Sequence, residues 1–367
     1  MKKNITFIMI GGFLGAGKTT LISRLARHYT DLGKKIGLVT NDQAYGLVDT
    51  EHLRSQGFDV GEVPGACFCC KFNDLVETAE KLSEDALPDI IIAEPVGSCT
   101  DLMATVIEPM KQIYGERFEV GPLTVLLKPE HGRKILSGTG KLGFSPKAAY
   151  IFEKQIEEAN IVAINKADKL TEEQLSELVR LVEKKFPGKT VVTISGREGT
   201  NVDRLVGLME DPALAVRTTM DVDYDIYAEG EAELGWFNCQ IAAKSVGEKF
   251  ELDRVVLSLV EEIANNLVAA DFEPAHLKVM GQSATESAVA NFVVADEPPE
   301  LSLSSEIRTD AADLIVNARV GTDPKSLQLI VQKSAESLAG RLNIGLELSG
   351  IQSFKPGRPE PIYRING

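Results

Sequence analysis

The sequence predicts an α/β protein: a mostly parallel sheet wrapped by helices, followed by a smaller two-layer α+β domain. Three observations predict it. Up to about residue 210, short apolar runs at 5–10, 36–40, 90–93, 123–127, 161–164 and 190–194 alternate with amphipathic segments. Uninterrupted apolar runs of this length suit strands buried on both faces. Between the last two runs, Leu175, Leu178, Val179, Val182 and Phe186 recur at helical spacing among Glu and Lys, so strand and helix signals alternate. Beyond about residue 234 the pattern changes: Phe237, Cys239, Ile241 and Ala243 alternate with Asn238, Gln240 and Lys244, as in a sheet with one buried face.

The later elements follow in order. Leu252, Val255, Val256, Leu259, Val260 and Ile263 line one face of a helix, and a strand is expected at 277–280. An extra strand is expected near 288–294. The order then recurs: Leu314, Val316, Ala318 and Val320 alternate, Leu327, Ile330, Val331, Leu338 and Leu342 line a helix, and Ile344, Leu346 and Leu348 alternate again. Two strand–helix–strand units suggest an old duplication. Between the two patterns, 221–233 holds six acidic residues in thirteen and reads as a solvated linker or edge, with a docking tail as the alternative. The expected organisation is a first domain at 1–216, an acidic linker at 217–233 and an α+β domain at 234–367, with Cys239 in the second core.

Lys plus Arg total 39 and Asp plus Glu 54, a formal net charge of −15. That balance argues against a general nucleic-acid binder or a protein held electrostatically on an anionic membrane. Lys2 and Lys3 before the run 5–10 resemble the start of a signal peptide, but the run is short and leads into a glycine-rich turn. With no apolar run of membrane-spanning length, a cytoplasmic protein is expected. Five cysteines, three of them crowded together, fit a reducing compartment with thiolates kept free for a metal better than a disulfide framework.

Gly12-Phe13-Leu14-Gly15-Ala16-Gly17-Lys18-Thr19 satisfies G-x-x-x-x-G-K-[ST] between an expected strand and an expected helix. Glycines let successive N–H groups turn inward toward phosphate oxygens. Lys18 is placed to neutralise β- and γ-phosphates, Thr19 offers its hydroxyl to Mg²⁺, the helix N-terminus adds its positive dipole end, and Thr20 is counted with the nucleotide-binding residues. The first domain is therefore expected to be a P-loop NTPase fold.

Asn165-Lys166-Ala167-Asp168 follows the strand 161–164. In an N-K-x-D loop the carboxylate accepts from both N1–H and the exocyclic amine of guanine, a pair adenine lacks, so the expected nucleotide is GTP. Ser195, after the last parallel strand, would lie near the same base. Asp42 and Asp49 are candidates for the Mg²⁺ water shell or the attacking water. Glu94 and Gly97 end the strand 90–93, where a Mg²⁺-side acid and a γ-phosphate-sensing glycine are needed. Lys18, Asp42 and Glu94 are the expected catalytic set.

Cys67, Cys69 and Cys70 place three thiols within four residues. Thiolates are soft ligands that favour Zn²⁺ or Co²⁺, and three of them leave a fourth position for water or a receiving protein. A redox pair and plain burial are the competing readings. Burial looks poor, since Pro64-Gly65 and Lys71 to Asp74 read as turns. Cys99 completes the site only if two loops meet.

In this order, Gly12 to Thr20, Cys67-Phe68-Cys69-Cys70, Glu94-x-x-Gly97 and Asn165 to Asp168 resemble the CobW-type GTPases, relatives of the HypB and UreG nickel-delivery proteins. The resemblance spans roughly residues 4–210. It implies a GTP-hydrolysing metallochaperone that dimerises around nucleotide and carries its cargo on the C-x-C-C thiolates. Where the family usually reads N-E-F-G-E-x-G-x-D, this chain reads from Asn41 to Asp49 with Tyr45 in place of the second Glu, and Glu94-Pro95-Val96-Gly97 replaces the usual E-T-T-G. Four histidines and no His tract set it apart from the metal-storing members. Arg358, between Pro356-Gly357 and Pro359, marks an exposed docking or ordering segment. The expected function is Mg²⁺-dependent GTP hydrolysis coupled to delivery of a metal or metal cofactor to a client metalloenzyme or corrinoid protein. The alternatives are an activator of a corrinoid or redox protein that carries no metal, and a nucleotide-gated metal sensor.

Overall fold

Residues buried on both sides build the first sheet. In a computed structural model of the chain, residues 4–43, 48–85, 88–137, 145–218, 220–284, 286–293, 295 and 297–365 are described. The chain divides into two compact units, one of residues 1–43, 58–230 and 358–367, the other of 44–57 and 231–357.

The first unit holds strands β1 (Ile5–Gly12), β2 (Ile36–Asp42), β3 (Asp59–Pro64), β4 (Ile90–Glu94), β5 (Phe118–Val120), β6 (Thr124–Leu127), β7 (Ile161–Ile164) and β8 (Thr190–Thr193). Their order is β3-β2-β4-β1-β6-β7-β8, with β5 also on β1, and every pair is parallel. Helices α1 (Lys18–Asp31), α3 (Phe72–Asp85), α4 (Glu108–Tyr114), α5 (Pro129–Ser137), α6 (Pro146–Glu158), α7 (Glu172–Lys185) and α8 (Val202–Met209) connect them; α2 (Val48–Ser55) belongs to the second unit. Local chemistry sets the helix starts. Ser145 caps α6 with Pro146 in the first turn, and Thr171 and Gln174 form a reciprocal capping box on α7.

The parallel order decides where the site forms. The chain fills one side of β1 with β4, β2 and β3, then crosses to β6, so the carboxyl end of β1 is a topological switch point, where ligands bind in open α/β sheets. The loops after Gly12, Asp42, Pro64, Glu94, Ile164 and Thr193 all leave that edge.

In the second unit, β9 (Gly235–Ser245), α10 (Leu252–Ala269), β11 (Pro274–Ser283), β12 (Glu286–Phe292), β13 (Glu300–Leu303), β15 (Ala311–Val320), α11 (Pro324–Leu342) and β16 (Ile344–Phe354) form an antiparallel sheet of order β13-β12-β11-β15-β9-β16 with two helices. The short strands β10 (Phe250–Glu251) and β14 (Arg308–Thr309) pair separately. Phe237, Cys239, Ile241 and Ala243 share one core with Val256, Leu259, Ile263, Leu327, Val331 and Leu338. Because β15 lies between β9 and β11, the two strand–helix–strand units interleave into one β-α-β-β-α-β layer pair.

The structure adds to the sequence reading at three places. The stretch 217–233 is not merely a solvated linker: it holds helix α9 (Tyr224–Ala232), because Tyr227 is buried and its hydroxyl accepts the Thr100 N–H at 3.3 Å. Strand β3 was not anticipated. Of the docking or ordering segment expected around Arg358, the structure shows the ordered form: Pro359 is buried, and the exposed Arg358 pairs with Asp225 at 2.9 Å.

Candidate nucleotide and metal site

Gly12 lies in the left-handed half of backbone space (φ 135°), and a Cβ there would stand 2.6 Å from the Leu126 carbonyl oxygen. Only glycine lets β1 turn so tightly against β6. The loop then runs through Gly15, Ala16 and Gly17 into α1, and Lys18 Nζ reaches back to donate to the Gly12 carbonyl at 3.1 Å. Thr19 Oγ1 donates to Glu94 Oε1 at 3.1 Å, and Lys18 Nζ lies 3.9 Å from the same oxygen. Lys18, Thr19 and Glu94 are therefore one buried cluster, while Thr20 is exposed.

Asn165 fastens the loop after β7 to the phosphate loop. Its Nδ2 donates to the Ala16 carbonyl at 2.8 Å, and its Oδ1 accepts the Gly196 N–H at 2.9 Å. Lys166 adopts a left-handed backbone (φ 58°), which turns the chain into the short helical turn holding Asp168. The Asp168 carboxylate is exposed. Ser195 is buried and its hydroxyl accepts the Glu198 N–H at 3.0 Å, holding the loop after β8. On α1, Arg24 braces that loop by donating to the Gly196 carbonyl at 2.7 Å. An open cleft of about 460 Å³ lies here, lined by Thr20, Ser23, Arg24, Gly196 and Arg197 among others.

The switch residues separate. Asp42 ends β2, half-buried, and its carbonyl accepts the Gly65 N–H at 3.0 Å. Asp49 belongs to the second unit, where it pairs with Lys278, and the neighbouring Val48 N–H donates to Asn317 Oδ1 at 2.9 Å. Tyr45 lies outside the described residues. Gly97 is pressed against the phosphate loop: a Cβ there would stand 2.7 Å from Leu14 Cδ2 and 3.1 Å from its backbone nitrogen.

The cysteines converge. Sγ–Sγ distances are 2.9 Å for Cys67–Cys69, 3.3 Å for Cys67–Cys70 and 3.7 Å for Cys69–Cys70. Sulfurs bound tetrahedrally to zinc at about 2.3 Å stand about 3.8 Å apart, so a small expansion of this cluster would admit such an ion. Hydrogen bonds with Cys69, Cys70 and Cys99 hold the Cys67 thiol well below the ordinary thiol range. Cys69 is pushed well above it, chiefly by its bond to Cys67, and Cys70 rises to about 11 for the same reason. The three thiols become a ligand set when a cation replaces their protons.

Contrary to the sequence expectation, this loop is buried: Cys67 and Cys69 are 2% and 1% exposed. Phe68 and Phe72 turn into the core on either side, and two features invisible in the motif hold the loop. Asn41 Nδ2 donates to the Val63 and Ala66 carbonyls at 2.6 and 2.7 Å, and its Oδ1 accepts the Phe68 N–H. From the far end of the chain, the Ile362 N–H donates to the Cys69 carbonyl at 2.9 Å and the Glu360 N–H to Cys70 Sγ at 3.2 Å. Tyr363 meets Phe72 edge-on at 5.2 Å, and Arg364 pairs with Asp101 at 2.7 Å. The only signal for Asn41 was its place beside Asp42.

The fold and this geometry define a P-loop nucleotide-binding protein with a buried thiol cluster. Residues 6–193, a little over half of the chain, match the nucleotide-binding domain of the CobW/HypB/UreG family, and the chain belongs to that family. It is 29% identical over 179 residues to a zinc chaperone CobW of Sinorhizobium sp., covering 44% of this chain and 50% of that one. It is 28% identical over 179 residues to the zinc chaperone YeiR of Escherichia coli K12, covering 47% and 49%. The chain spans about half the length of these curated relatives. Among solved structures it is similar to HypB from Helicobacter pylori in complex with nickel (17% identity, TM-score 0.41, 60% of this chain and 93% of that one). It is also similar to the Zn(II)-bound YjiA GTPase from Escherichia coli (15% identity, TM-score 0.39, 90% and 98%). No helix among the described residues is long and apolar enough to cross a membrane.

Proposed function

We propose that the chain binds and hydrolyses GTP with Mg²⁺ and uses the cycle to carry a divalent metal to a client protein. Zn²⁺ is the first candidate cargo, since the curated relatives are zinc chaperones and the cluster is all sulfur; Co²⁺ suits the same donors. What supports the reading is one connection. Asn41, at the end of β2 beside Asp42, is hydrogen-bonded to the loop that carries the cysteines.

Each residue then has a task. Backbone N–H groups of Gly12 to Gly17 surround the phosphates, and Lys18 turns from the Gly12 carbonyl to the β- and γ-phosphate oxygens. Thr19 and Glu94 offer hard oxygen donors 3.1 Å apart, a pair that fits Mg²⁺ together with Asp42 and water. When bound, Mg²⁺ would neutralise charge gathering on the phosphate oxygens. Glu94 and Asp42 orient the attacking water, and Gly97 reports the γ-phosphate through its contact with the phosphate loop. Asp168 accepts from guanine, with Asn165, Lys166 and Ser195 shaping that end of the site. The client is a metalloenzyme or corrinoid protein, and two copies pair around the nucleotide.

Turnover of GTP against ATP by the purified full chain, with and without Lys18→Ala, tests the nucleotide half. GTP preference is expected, and the variant should lose about 100-fold or more of its rate with its urea midpoint retained. Full hydrolysis in a folded Lys18→Ala protein would remove the phosphate site from the account.

A further inference from the structure

We propose that residues 358–365 form a strap that gates the thiol cluster: metal enters and leaves on the Cys70 side when the strap lifts, and Asp101 is its latch. This deepens the metal-carrier reading and rests on it. Of the three clustered cysteines, Cys67 and Cys69 are buried and Cys70 alone is part-exposed, so the way to the cluster runs past Cys70. The strap lies on that sulfur. The Glu360 N–H donates to Cys70 Sγ at 3.2 Å, and the Ile362 N–H donates to the Cys69 carbonyl at 2.9 Å.

The sequence of this segment suits a strap. Pro356, Pro359 and Pro361 fix φ along it, which stiffens the chain and lessens the entropy lost when it docks. Neither Pro359 nor Pro361 has an N–H, so between them only the Glu360 backbone can donate. Residues 358–365 form no helix or strand, so no ladder of hydrogen bonds holds them. They are held at points, among them the Tyr363 ring against Phe72 at 5.2 Å.

The firmest of those points lies on the stretch that follows Glu94 and Gly97. Asp101 is 1% exposed and adopts a left-handed backbone (φ 64°), a costly conformation that persists where the surroundings enforce it. Its Oδ2 accepts Arg364 Nε and the Tyr224 hydroxyl, both at 2.7 Å. Just beyond, Met103–Ile107 form a single π-helical turn, a feature frequent at functional sites. There the Met103 carbonyl accepts the Glu108 N–H, and the next carbonyl, of Ala104, faces Pro109, which has no N–H to give. The Ile365 N–H fills that place at 2.9 Å. One buried charge and one carbonyl that its own helix leaves unpaired are thus both completed by the strap.

This arrangement answers a chemical requirement. A carrier must hold its ion in transit and give it up at the client. A backbone N–H on a ligand sulfur supports the thiolate while metal is bound, and lifting the strap removes that support and uncovers the ligand that reaches solvent.

The test pairs Arg364→Met with the double variant Asp101→Asn, Arg364→Met in the full chain. The double variant leaves no unpaired buried charge, and Asn tolerates the left-handed backbone and keeps an acceptor for Tyr224. Two rates are read: transfer of Zn²⁺ from loaded protein to a chromogenic chelator, and alkylation of Cys70 by iodoacetamide in metal-free protein, with the buried Cys239 of the second core as internal reference. Both rates should rise by about 10-fold or more in the variants, the scale on which groups outside the ligand shell act, while Cys239 stays protected. Wild-type rates in the double variant would overturn the strap and leave the three-cysteine carrier standing. Cys70 and Cys239 accelerating together would also overturn it, since opening would then be global. Wild-type protein that takes up no Zn²⁺ would overturn the carrier reading and this proposal with it.

Discussion

Asn41 Oδ1 accepts the Phe68 N–H at 2.9 Å while Asn41 Nδ2 donates to the carbonyls on the other side of the cysteine loop. One side chain at the end of a strand that leads into the nucleotide-facing edge therefore sets the path of the chain through Cys67. The parallel pairing of β2 with β3 makes this contact available, because both strands end at the same edge.

Asn41→Ala leaves one N–H and two carbonyls of the loop without this partner. Orphaned buried backbone groups cost about 1–3 kcal/mol each, less whatever water restores, so a loss of about 2–4 kcal/mol is expected in urea unfolding, with weaker Zn²⁺ binding. Asn41→Asp keeps the acceptor for Phe68 and loses both donations, and should fall below Asn41→Ala in stability because a buried charge then faces two carbonyls. Wild-type stability in both variants would show that the clamp carries no weight.

On the proposed reading, Asp168 discriminates the base. Asp168→Asn replaces an acceptor pair by one acceptor and one donor, which should weaken GTP and favour xanthosine triphosphate, whose base carries oxygen where guanine carries the amine. Competition binding with the two nucleotides reads the exchange. An unchanged preference for GTP would place guanine recognition elsewhere.

Glu158 gives the fold a pH signature. It is fully buried at the end of α6, accepts the Met103 N–H at 2.8 Å, and burial pushes its carboxyl from 4.5 to about 8. Below the unfolded value both states hold the proton, and its contribution to stability is fully present. Between about pH 4.5 and 8 the folded state keeps a proton that the unfolded state has released, so stability falls as pH rises, with a slope approaching about 1.4 kcal/mol per unit. Glu158→Gln removes the titrating group but keeps an acceptor for Met103. Urea unfolding between about pH 5 and pH 8 should be flatter in the variant than in the wild type, and parallel curves would contradict the assignment.

How much of this was legible depended on distance along the chain. The phosphate loop and the Cys67 to Cys70 cluster were readable because their chemistry is packed into contiguous residues whose local geometry does the work. The alternation of Phe237 to Ala243 likewise announced a sheet with one buried face. Strand β3 was not readable: it is an edge strand with only Val63 fully buried, so it leaves no apolar run. The acidic composition of 221–233 hid the buried Tyr227. Asn41 and the segment from Glu360 to Arg364 matter only through strand order and through distant segments brought back to the sheet, and no local pattern records either.

The central claim is that nucleotide and metal are read by one connected site, and titration of Zn²⁺ into the full chain with a GTP analogue or with GDP tests it most directly. A coupling of about 1–3 kcal/mol makes Zn²⁺ bind roughly 5–150-fold more tightly in one nucleotide state than in the other, and Zn²⁺ must shift the analogue's affinity by the same factor. Tighter Zn²⁺ binding with the analogue, lost in Asn41→Ala, is the expected result. Equal Zn²⁺ affinity in both nucleotide states would contradict the account even if both ligands bind well.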